Sequence, residues 1–358
     1  MGTKSIFNYS IQDLQEILVA NGFNKFAAQQ IFDWIYVKLE TDFNNMSNLK
    51  KDLRDYLMSN FNANPLKSLV VEESKDGTIK ILFLLDDKKT IETVLMPQKY
   101  GQSVCVTTQV GCKMACKFCA SGLIKTERNL ETNEIVRQIF TMNQILKEKF
   151  KDDLSNPRSR VSHIVVMGIG EPMDNFENVM KFIEIINETK GFQIGARHIT
   201  ISTCGVVPKI IEFADMKTQI NLAISLHASN NEVRSSMMPI NKAYPIEKLL
   251  DAVSYYIEAT NRRITFEYIL IEDVNDKKEH AVELARLIRG MNAYVNLIPY
   301  NEVKENPYRK STKIDTFFKI LKKEGINAIV RKEFGADIDA ACGQLRAKRE
   351  GVFKNDEV

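Results

Sequence analysis

Apolar residues recur at two different spacings along this 358-residue chain, and each spacing predicts a different kind of element. In residues 1 to about 62 they recur every three or four positions, which indicates three short helices. Ser10 and Asn24 precede the first two of these runs and are suited to be their N-caps. In residues 66 to 96 the apolar runs are short and separated by turn sequences, which predicts the strands of a small meander.

Beyond residue 96, short runs of β-branched and other apolar residues alternate with helical stretches. The predicted strands lie near residues 103–108, 163–168, 198–202, 220–226, 264–270, 294–299 and 326–331. Strands of this kind, separated by helices, are typical of a parallel sheet that is buried on both faces. We therefore predict an α/β fold: an open (β/α)6 partial barrel with a small α+β N-terminal accessory domain.

The change of pattern also predicts the domain boundaries. We expect the accessory domain at residues 1–96, the core domain at residues 97–345 and a C-terminal tail at residues 346–358. A packing cap on the core is one interpretation of the accessory domain, since it contains no sharp binding motif.

Composition adds little about partners, because 49 basic and 46 acidic residues leave a net charge of only +3. No apolar run approaches the roughly eighteen residues of a membrane span, and the first ten residues lack the regions of a signal peptide. We therefore expect a cytoplasmic protein without a membrane partner. In that compartment, six cysteines favour metal or redox chemistry over a disulfide scaffold.

Three cysteines carry the most specific chemical signal in the chain. Cys112, Cys116 and Cys119 have the spacing C-x3-C-x2-C, and no fourth cysteine or histidine follows nearby. A structural zinc ion is normally closed by four protein ligands. A [4Fe-4S] cluster on three cysteines instead leaves one iron free for a small molecule. The spacing therefore favours an iron–sulfur cluster, with zinc and inert core cysteines as the alternatives.

Glycine and polar residues follow the predicted strands of the core domain, as the cysteine loop follows the first strand. These residues are Gly170 and Glu171 after the second strand, Ser202 after the third, Ser225, Leu226 and His227 after the fourth, and Asn301 after the sixth. Active sites of parallel α/β folds lie at the carboxyl ends of the strands. Each residue alone has an ordinary structural explanation, such as a tight turn at Gly170 or a core position for His227. Their shared position predicts one site.

Four motifs give the chain a resemblance to a known family. They are CKMACKFC at 112–119, MGIGEP at 167–172, SLHA at 225–228 and DIDAACGQL at 337–345. In this order, and over about residues 10 to 348, the chain resembles the RlmN/Cfr family of radical S-adenosylmethionine (SAM) RNA methyltransferases. The resemblance implies methylation of C2 of an adenine in 23S rRNA and in tRNA, by way of a covalent adduct between enzyme and RNA. It implies a [4Fe-4S] cluster and two molecules of SAM per turnover as well. It also implies an accessory domain that helps to hold RNA.

The resemblance further implies roles for individual residues. Gly170, Glu171, Ser202, Ser225, Leu226, His227 and Asn301 are expected to bind SAM, with Gly170 allowing close approach of the ligand to the backbone. Cys342 is expected to carry the methyl group as S-methylcysteine, Cys105 to resolve the RNA adduct and end in a disulfide with Cys342, and Glu92 to accept a proton. An ordinary strand carboxylate remains the other interpretation of Glu92. Cys204 has no matched role and is expected to be a small buried residue.

Two alternatives to adenine-C2 methylation remain open. Within the family, some members methylate C8 of the same rRNA adenine, although residues 170–175 and 194–198 look more like the C2 enzymes. The alternative from a different class is a zinc-stabilised RNA-binding module without catalysis. We also expect an electron donor such as flavodoxin and a monomeric protein.

Overall fold

The fold was taken from a computed structural model, which describes residues 3–123, 126–303, 306–335 and 337–338. The helices in these residues are α1 Ile11–Ala20, α2 Ala27–Phe32, α3 Lys51–Asn60, α4 Thr132–Lys149, α5 Phe176–Asn187, α6 Val207–Asp215, α7 Asn231–Met237, α8 Ile246–Thr260, α9 Lys278–Leu287 and α10 Ile314–Lys323. The strands are β1 Lys4–Ser5, β2 Phe61–Asn62, β3 Lys67–Glu73, β4 Ile79–Leu84, β5 Thr90–Gln98, β6 Gly101–Cys105, β7 Gln109–Val110, β8 Arg128–Asn129, β9 Val161–Val166, β10 Ile199–Thr203, β11 Asn221–Ser225, β12 Ile264–Leu270, β13 Ala293–Pro299 and β14 Ala328–Val330.

The three helices predicted for the N-terminal unit are confirmed as α1 to α3. Ser10 caps α1 with a capping box, because its hydroxyl accepts from the N–H of Asp13 while the Asp13 carboxylate accepts from the N–H of Ser10. The Asn24 side chain accepts from the N–H of Phe26 at 2.9 Å, just before α2 begins. Helix α2 then continues into one π-helical segment, Asp33–Val37.

Ten of the described strands form one continuous sheet, in the order β14-β13-β12-β11-β10-β9-β6-β5-β4-β3. Strands β6 and β9 to β14 are parallel, and β3 to β6 are antiparallel neighbours. The sheet ends at β14 and β3 and is open. The predicted open α/β fold and its core strands are therefore confirmed.

The meander of β3 to β5 continues the sheet of the core, which the sequence pattern did not indicate. Strand β5 pairs with β6 in a tight antiparallel hairpin, with Gln98 opposite Gly101 and Val94 opposite Cys105. The boundary predicted at residue 96 lies inside this hairpin. Hydrogen bonding between the strands continues across the sheet at that point without interruption. The domain limits remain predictions.

The N-terminal helices pack on the outer face of α4. Phe7, which is fully buried, lies with its ring 4.8 Å from the ring of Phe140 in α4, and the N–H of Asn133 donates to the Asn8 side chain at 2.8 Å. Helix α4 is thus covered on two sides and is buried along most of its length. No helix in the described part of the chain has the length and apolar character of a membrane span.

Candidate active site

The loop that carries Cys112, Cys116 and Cys119 follows β6 and folds through tight turns. The N–H of Cys119 donates to the carbonyl of Cys116 at 3.1 Å, and Ala115 has a left-handed conformation with φ of 51°. A Cβ at Gly122 would lie 2.8 Å from the Cys116 carbonyl oxygen, so this turn requires glycine. All three cysteine side chains remain partly exposed.

At the carboxyl end of β9, Gly170 and Glu171 are fixed by contacts within the protein. The buried Glu171 carboxylate accepts hydrogen bonds from the N–H groups of Met173 at 3.1 Å and Cys204 at 2.8 Å. Burial raises the pKa of Glu171, and these donors oppose the rise. Gly170 has φ of 112°, and a Cβ there would lie 2.7 Å from the side chain of Gln109. Packing of Gln109 is therefore sufficient to explain this glycine.

The next two strands bring Ser202 and Ser225 together. Both hydroxyls lie near the carboxyl ends of β10 and β11, with their oxygen atoms 3.4 Å apart. The following residue, Leu226, is fully buried, and its N–H donates to the Glu267 carbonyl on β12 at 3.1 Å. The strand-end residues expected from the sequence therefore lie on neighbouring strands at one edge of the sheet.

His227 connects this edge to the cysteine loop. Its Nδ1 accepts a hydrogen bond from the N–H of Ile269 at 3.1 Å, so the neutral ring carries its proton on Nε2. Burial, together with the charge of Arg234, lowers the pKa of His227 to about 3. The His227 ring meets the ring of Phe118 edge-on, with centroids 5.0 Å apart. His227 is thus a neutral side chain packed beside the cysteine loop.

A cavity of about 260 Å³ opens beside this loop. Its lining brings together Glu92, Cys105, Cys119, Asn301 and Arg331, which lie far apart in sequence. Asn301 is the one expected SAM ligand among the described lining residues; the other six lie elsewhere along the strand ends. The structure therefore unites the expected proton acceptor and the expected resolving thiol with the third cysteine of the loop.

Glu92 also forms a buried ion pair that the sequence did not reveal. Lys80 Nζ lies 3.0 Å from the Glu92 carboxylate, and the two side chains are 0% and 2% exposed. Lys80, Val94 and Cys105 lie opposite one another on β4, β5 and β6, so their side chains share one face of the sheet. Burial raises the pKa of Cys105 to about 11, and the charges of Arg331 and Lys80 oppose this rise.

Comparison with known proteins agrees with this arrangement. Residues 4–62 match the ribosomal RNA large subunit methyltransferase N-terminal domain, and residues 106–285 match the radical SAM superfamily. A relative from Spiroplasma citri, "Probable dual-specificity RNA methyltransferase RlmN", is 64% identical over 98% of this chain and 99% of its own length. Its Enterococcus faecalis counterpart is 55% identical over 98% of each chain. The chain belongs to the RlmN family of radical SAM enzymes.

A solved structure shares this family fold. The crystal structure of a radical SAM methyltransferase from Sphaerobacter thermophilus is 42% identical to this chain, covers 95% of it and 98% of its own length, and superposes with a TM-score of 0.89. Fold and order of elements are therefore shared over nearly the whole chain.

Membership in this radical SAM family implies a [4Fe-4S] cluster and SAM, and the cysteine loop fits such a cluster. Burial raises the pKa of Cys112 to about 12, and burial with the neighbouring thiols raises the pKa of Cys116. Thiols of this kind ionise when a metal centre compensates their charge. The three thiols of this loop are the ligand type that an iron–sulfur cluster takes.

Cys342 lies outside the described residues, and its role remains a prediction. The chain that leads to it is anchored at Asp337, which accepts a hydrogen bond from the Ser74 hydroxyl and another from the Lys75 N–H at 3.2 Å. The five described cysteines are free, so a disulfide between Cys105 and Cys342 also stays a prediction. Cys204 is buried, as expected.

Sequence reasoning missed two buried cations near the site, Lys80 and Arg234. Arg234 is fully buried and donates to the carbonyls of Leu226 at 3.2 Å and Cys204 at 2.6 Å, which ties the ends of β11 and β10 together. Burial lowers the pKa of Arg234 to about 10. Lys80 was detectable as a lysine within the apolar strand sequence IKILFL. Arg234 had no comparable signal, because it lies in a mixed polar stretch.

Proposed function

We propose that this protein methylates C2 of an adenine in 23S rRNA and in tRNA. The observation that carries the proposal is the shared cavity of Glu92, Cys105 and Cys119, in a chain 64% identical to a probable dual-specificity RNA methyltransferase over nearly its full length. The proposal includes a cytoplasmic monomer and an electron donor such as flavodoxin. The N-terminal helices are proposed to help hold the folded RNA.

A protein nucleophile is needed because C2 of adenine is electron-poor and has no lone pair. A direct displacement on SAM requires a nucleophile, and C2 cannot act as one. A thiolate can accept the methyl group first, and we assign this step to Cys342, which becomes S-methylcysteine. The cluster on Cys112, Cys116 and Cys119, when bound, supplies the electron that cleaves a second SAM to methionine and a 5′-deoxyadenosyl radical.

The remaining steps are assigned to residues of the chain. The 5′-deoxyadenosyl radical takes a hydrogen atom from methylated Cys342 and becomes 5′-deoxyadenosine. The resulting thiomethylene radical adds to C2 and joins protein to RNA, and the adduct radical would return one electron to the bound redox cofactor, which balances the electron used to cleave SAM. Glu92 then accepts the C2 proton, with its charge compensated by Lys80. The Cys105 thiolate attacks the Cys342 sulfur and forms a disulfide, while the electron pair of the broken carbon–sulfur bond stays on the methylene carbon. That carbon takes up a proton, which completes the methyl group and releases the methylated base. SAM is proposed to bind through Gly170, Glu171, Ser202, Ser225, Leu226, His227 and Asn301.

The reaction product tests the position of methylation. Reconstituted enzyme should be incubated anaerobically with SAM, a reductant and unmodified rRNA or tRNA fragments, and the nucleosides analysed by mass spectrometry. We expect 2-methyladenosine from both RNAs. Formation of 8-methyladenosine would assign the C8 activity instead, and a colourless zinc protein without product would leave only RNA binding.

Variants of the two proposed catalytic thiols test the mechanism. Cys105→Ala should accumulate protein covalently attached to RNA, which survives denaturing electrophoresis and shrinks on nuclease treatment. Adding Cys342→Ala should abolish the attachment, because the bond runs through that sulfur. Cys204→Ala is the matched control and should release product normally. RNA-free Cys105→Ala protein with wild-type turnover would contradict the two-thiol mechanism.

A further inference from the structure

A second cavity, of about 890 Å³, lies at the amino-terminal end of the parallel strands, opposite the cysteine loop. Residues near the starts of five strands line it: Ser103, Thr200, Asn221, Thr265 and Tyr294. Met96, Met167 and Arg331 line both this cavity and the active-site cavity. The two cavities therefore adjoin on the same face of the open sheet, and one extended ligand can reach both.

Three arginines converge on the rim of this second cavity. Arg197 precedes β10, whereas Arg262 and Arg263 precede β12, and all three line the cavity. Arg197 Nη2 at 3.3 Å and Arg262 Nη1 at 3.1 Å donate to the same oxygen, the side-chain carbonyl of Gln219. Arg262 Nη2 also donates to the side-chain oxygen of Asn221, so the acceptors of these two guanidinium groups are neutral amide oxygens. Like charges held this close repel each other, and a bound anion would remove that repulsion.

Carboxylates of the described chain do not supply that anion. The arginine ion pairs found in the described residues are made by Arg128, Arg137 and Arg289, and the three rim arginines are not among them. The Nε atom of Arg262 is buried and has no hydrogen-bond partner within the described ranges. The rim therefore has cationic donors in excess of its acceptors.

The acidic residue deeper in this cavity, Glu267, forms no ion pair with the rim arginines in the described part of the chain. Glu267 is buried, accepts a hydrogen bond from the Asn296 amide at 2.8 Å, and has its pKa raised by burial. The side-chain oxygen of the same amide, Asn296 Oδ1, is buried and has no partner among the described residues. The interior of the cavity is therefore polar, and the three arginines lie at its entrance.

Aromatic rings lie beside the same entrance. The Arg263 guanidinium lies 4.4 Å from the centre of the Tyr294 ring. Tyr100, which lines the cavity and is 63% exposed, meets the His163 ring edge-on at 4.5 Å. His163 in turn stacks on His198 at 4.3 Å. Exposed rings beside guanidinium groups are the combination with which proteins bind the bases and phosphates of unpaired RNA.

We propose that this rim binds the sugar–phosphate backbone of the RNA substrate, with Arg197, Arg262 and Arg263 as phosphate ligands and Tyr100 as a stacking surface for an adjacent unpaired base. The proposal rests on the proposed function, since it names a further binding surface for the same RNA. It places one strand of the RNA along the open face of the sheet, from the active-site cavity to the starts of the strands.

Salt-dependent RNA binding tests the phosphate ligands. The variant Arg197→Gln/Arg262→Gln/Arg263→Gln should bind a tRNA transcript at least about tenfold more weakly than the wild type at moderate salt. The slope of log K against log salt should fall by about 0.7 to 0.9 for each phosphate that is no longer bound. The matched control Lys147→Gln/Lys209→Gln/Arg289→Gln removes the same charge elsewhere and should retain most of the affinity. Tyr100→Ala should weaken binding with an unchanged slope, because stacking releases no counterions.

Two further measurements separate the possible causes of failure. Methylation of Cys342, which consumes SAM but no RNA, should be normal in the rim variant, as shown by a peptide mass increase. Inorganic phosphate and AMP should compete with tRNA only weakly. Wild-type affinity and slope in the rim variant would overturn the assignment of phosphate ligands, as would equal weakening in the control. Tight AMP binding that the rim variant abolishes, with RNA binding intact, would assign the rim to a free nucleotide. Absence of RNA binding or methylation by the wild type would instead refute the proposed function.

Discussion

At the scale of single residues, the pair of Lys80 and Glu92 is the clearest case of two side chains that depend on each other. Both are buried, with Nζ and carboxylate 3.0 Å apart. Taking a charge out of water costs several kcal/mol, and an opposite charge at this distance offsets much of that cost. Loss of either charge should therefore destabilise the protein more than loss of both.

A double-mutant cycle measures this dependence. Lys80→Met should lower the free energy of unfolding by about 3 kcal/mol, because it removes the cation that lies 3.0 Å from the buried Glu92 carboxylate. Lys80→Met/Glu92→Leu should recover much of that loss. Urea unfolding of the four proteins gives the coupling energy. A double variant as unstable as the sum of the single variants would contradict a direct interaction.

The buried His227 predicts a pH dependence of stability. Its pKa is about 3 in the folded protein, below the ordinary value of about 6.5 in the unfolded chain. Between these values the unfolded chain binds the proton and the folded protein does not. The contribution of His227 to the free energy of unfolding is therefore fully present above about pH 6.5. Below that pH the free energy of unfolding falls, by up to about 1.4 kcal/mol per pH unit.

Urea unfolding between pH 5 and 7.5 checks this dependence. His227→Gln keeps an acceptor for the Ile269 N–H and should show a shallower decrease in the free energy of unfolding as pH falls. His163→Gln is the comparison variant. Burial lowers the pKa of His163 as well, so this variant shows how much of the pH dependence comes from that second histidine. Identical pH profiles for His227→Gln and the wild type would show that His227 takes up a proton without cost.

Single residues also show how far the sequence could be interpreted. Motif spacing was enough to select the cysteine loop and the strand-end residues, since neither depends on how distant strands pair. The partner of Glu92 could not be found this way, because Lys80 becomes its neighbour only through the register of β4 with β5. The Glu171 carboxylate also accepts a hydrogen bond from the N–H of Cys204. That contact could not be predicted either, because it too depends on which strands lie side by side.

At the scale of elements, alternation of strands and helices predicted the order and type of nearly every core element. The pattern could not predict that β5 pairs with β6, because an antiparallel hairpin and an isolated meander have the same local periodicity. Close packing between adjacent strand ends could not be predicted from the pattern either. Gly168, just after β9, is an example: a Cβ there would lie 2.5 Å from the Val106 carbonyl oxygen after β6.

Two glycine substitutions test this packing. Gly168→Ala should destabilise the protein by about 2 kcal/mol or more, since backbone atoms, rather than a flexible side chain, block the new methyl group. Gly195→Ala is the matched control, because no described atom lies within 4 Å of the position that a Cβ would take there and its φ is −60°. It should be neutral or slightly stabilising. Urea unfolding that ranks the two variants equally would contradict the close approach of the strands.

At the scale of the whole molecule, the N-terminal helices and the sheet are packed into one core. Phe7 is fully buried between Phe140 of α4 and Tyr36 of the helical unit, with ring centroids 4.8 and 5.9 Å away. Such packing makes the two parts unfold together. Local periodicity predicted the helices but gave no information on which face of the core would receive them.

Phe7→Ala tests this cooperation. It should lower the free energy of unfolding by about 3 to 5 kcal/mol, the usual cost of removing a buried phenylalanine. Trp34, the only tryptophan, reports on the helical unit by fluorescence, while circular dichroism reports on the whole chain. In the wild type both signals should change at the same urea concentration. Earlier loss of the Trp34 signal would indicate an independently unfolding helical unit.

The hairpin of β5 and β6 limits how genes of this family can recombine. An exchange between two relatives near residue 63 falls between their matched N-terminal and radical SAM regions, and it moves the helical unit alone. In a hybrid joined at residue 96, Lys80 and Glu92 come from one parent and Cys105 comes from the other, although all three side chains share a face of one sheet. Residues 66–105 should therefore be inherited as one block with the cysteine loop, and hybrids joined at residue 63 should be active more often than hybrids joined at residue 96.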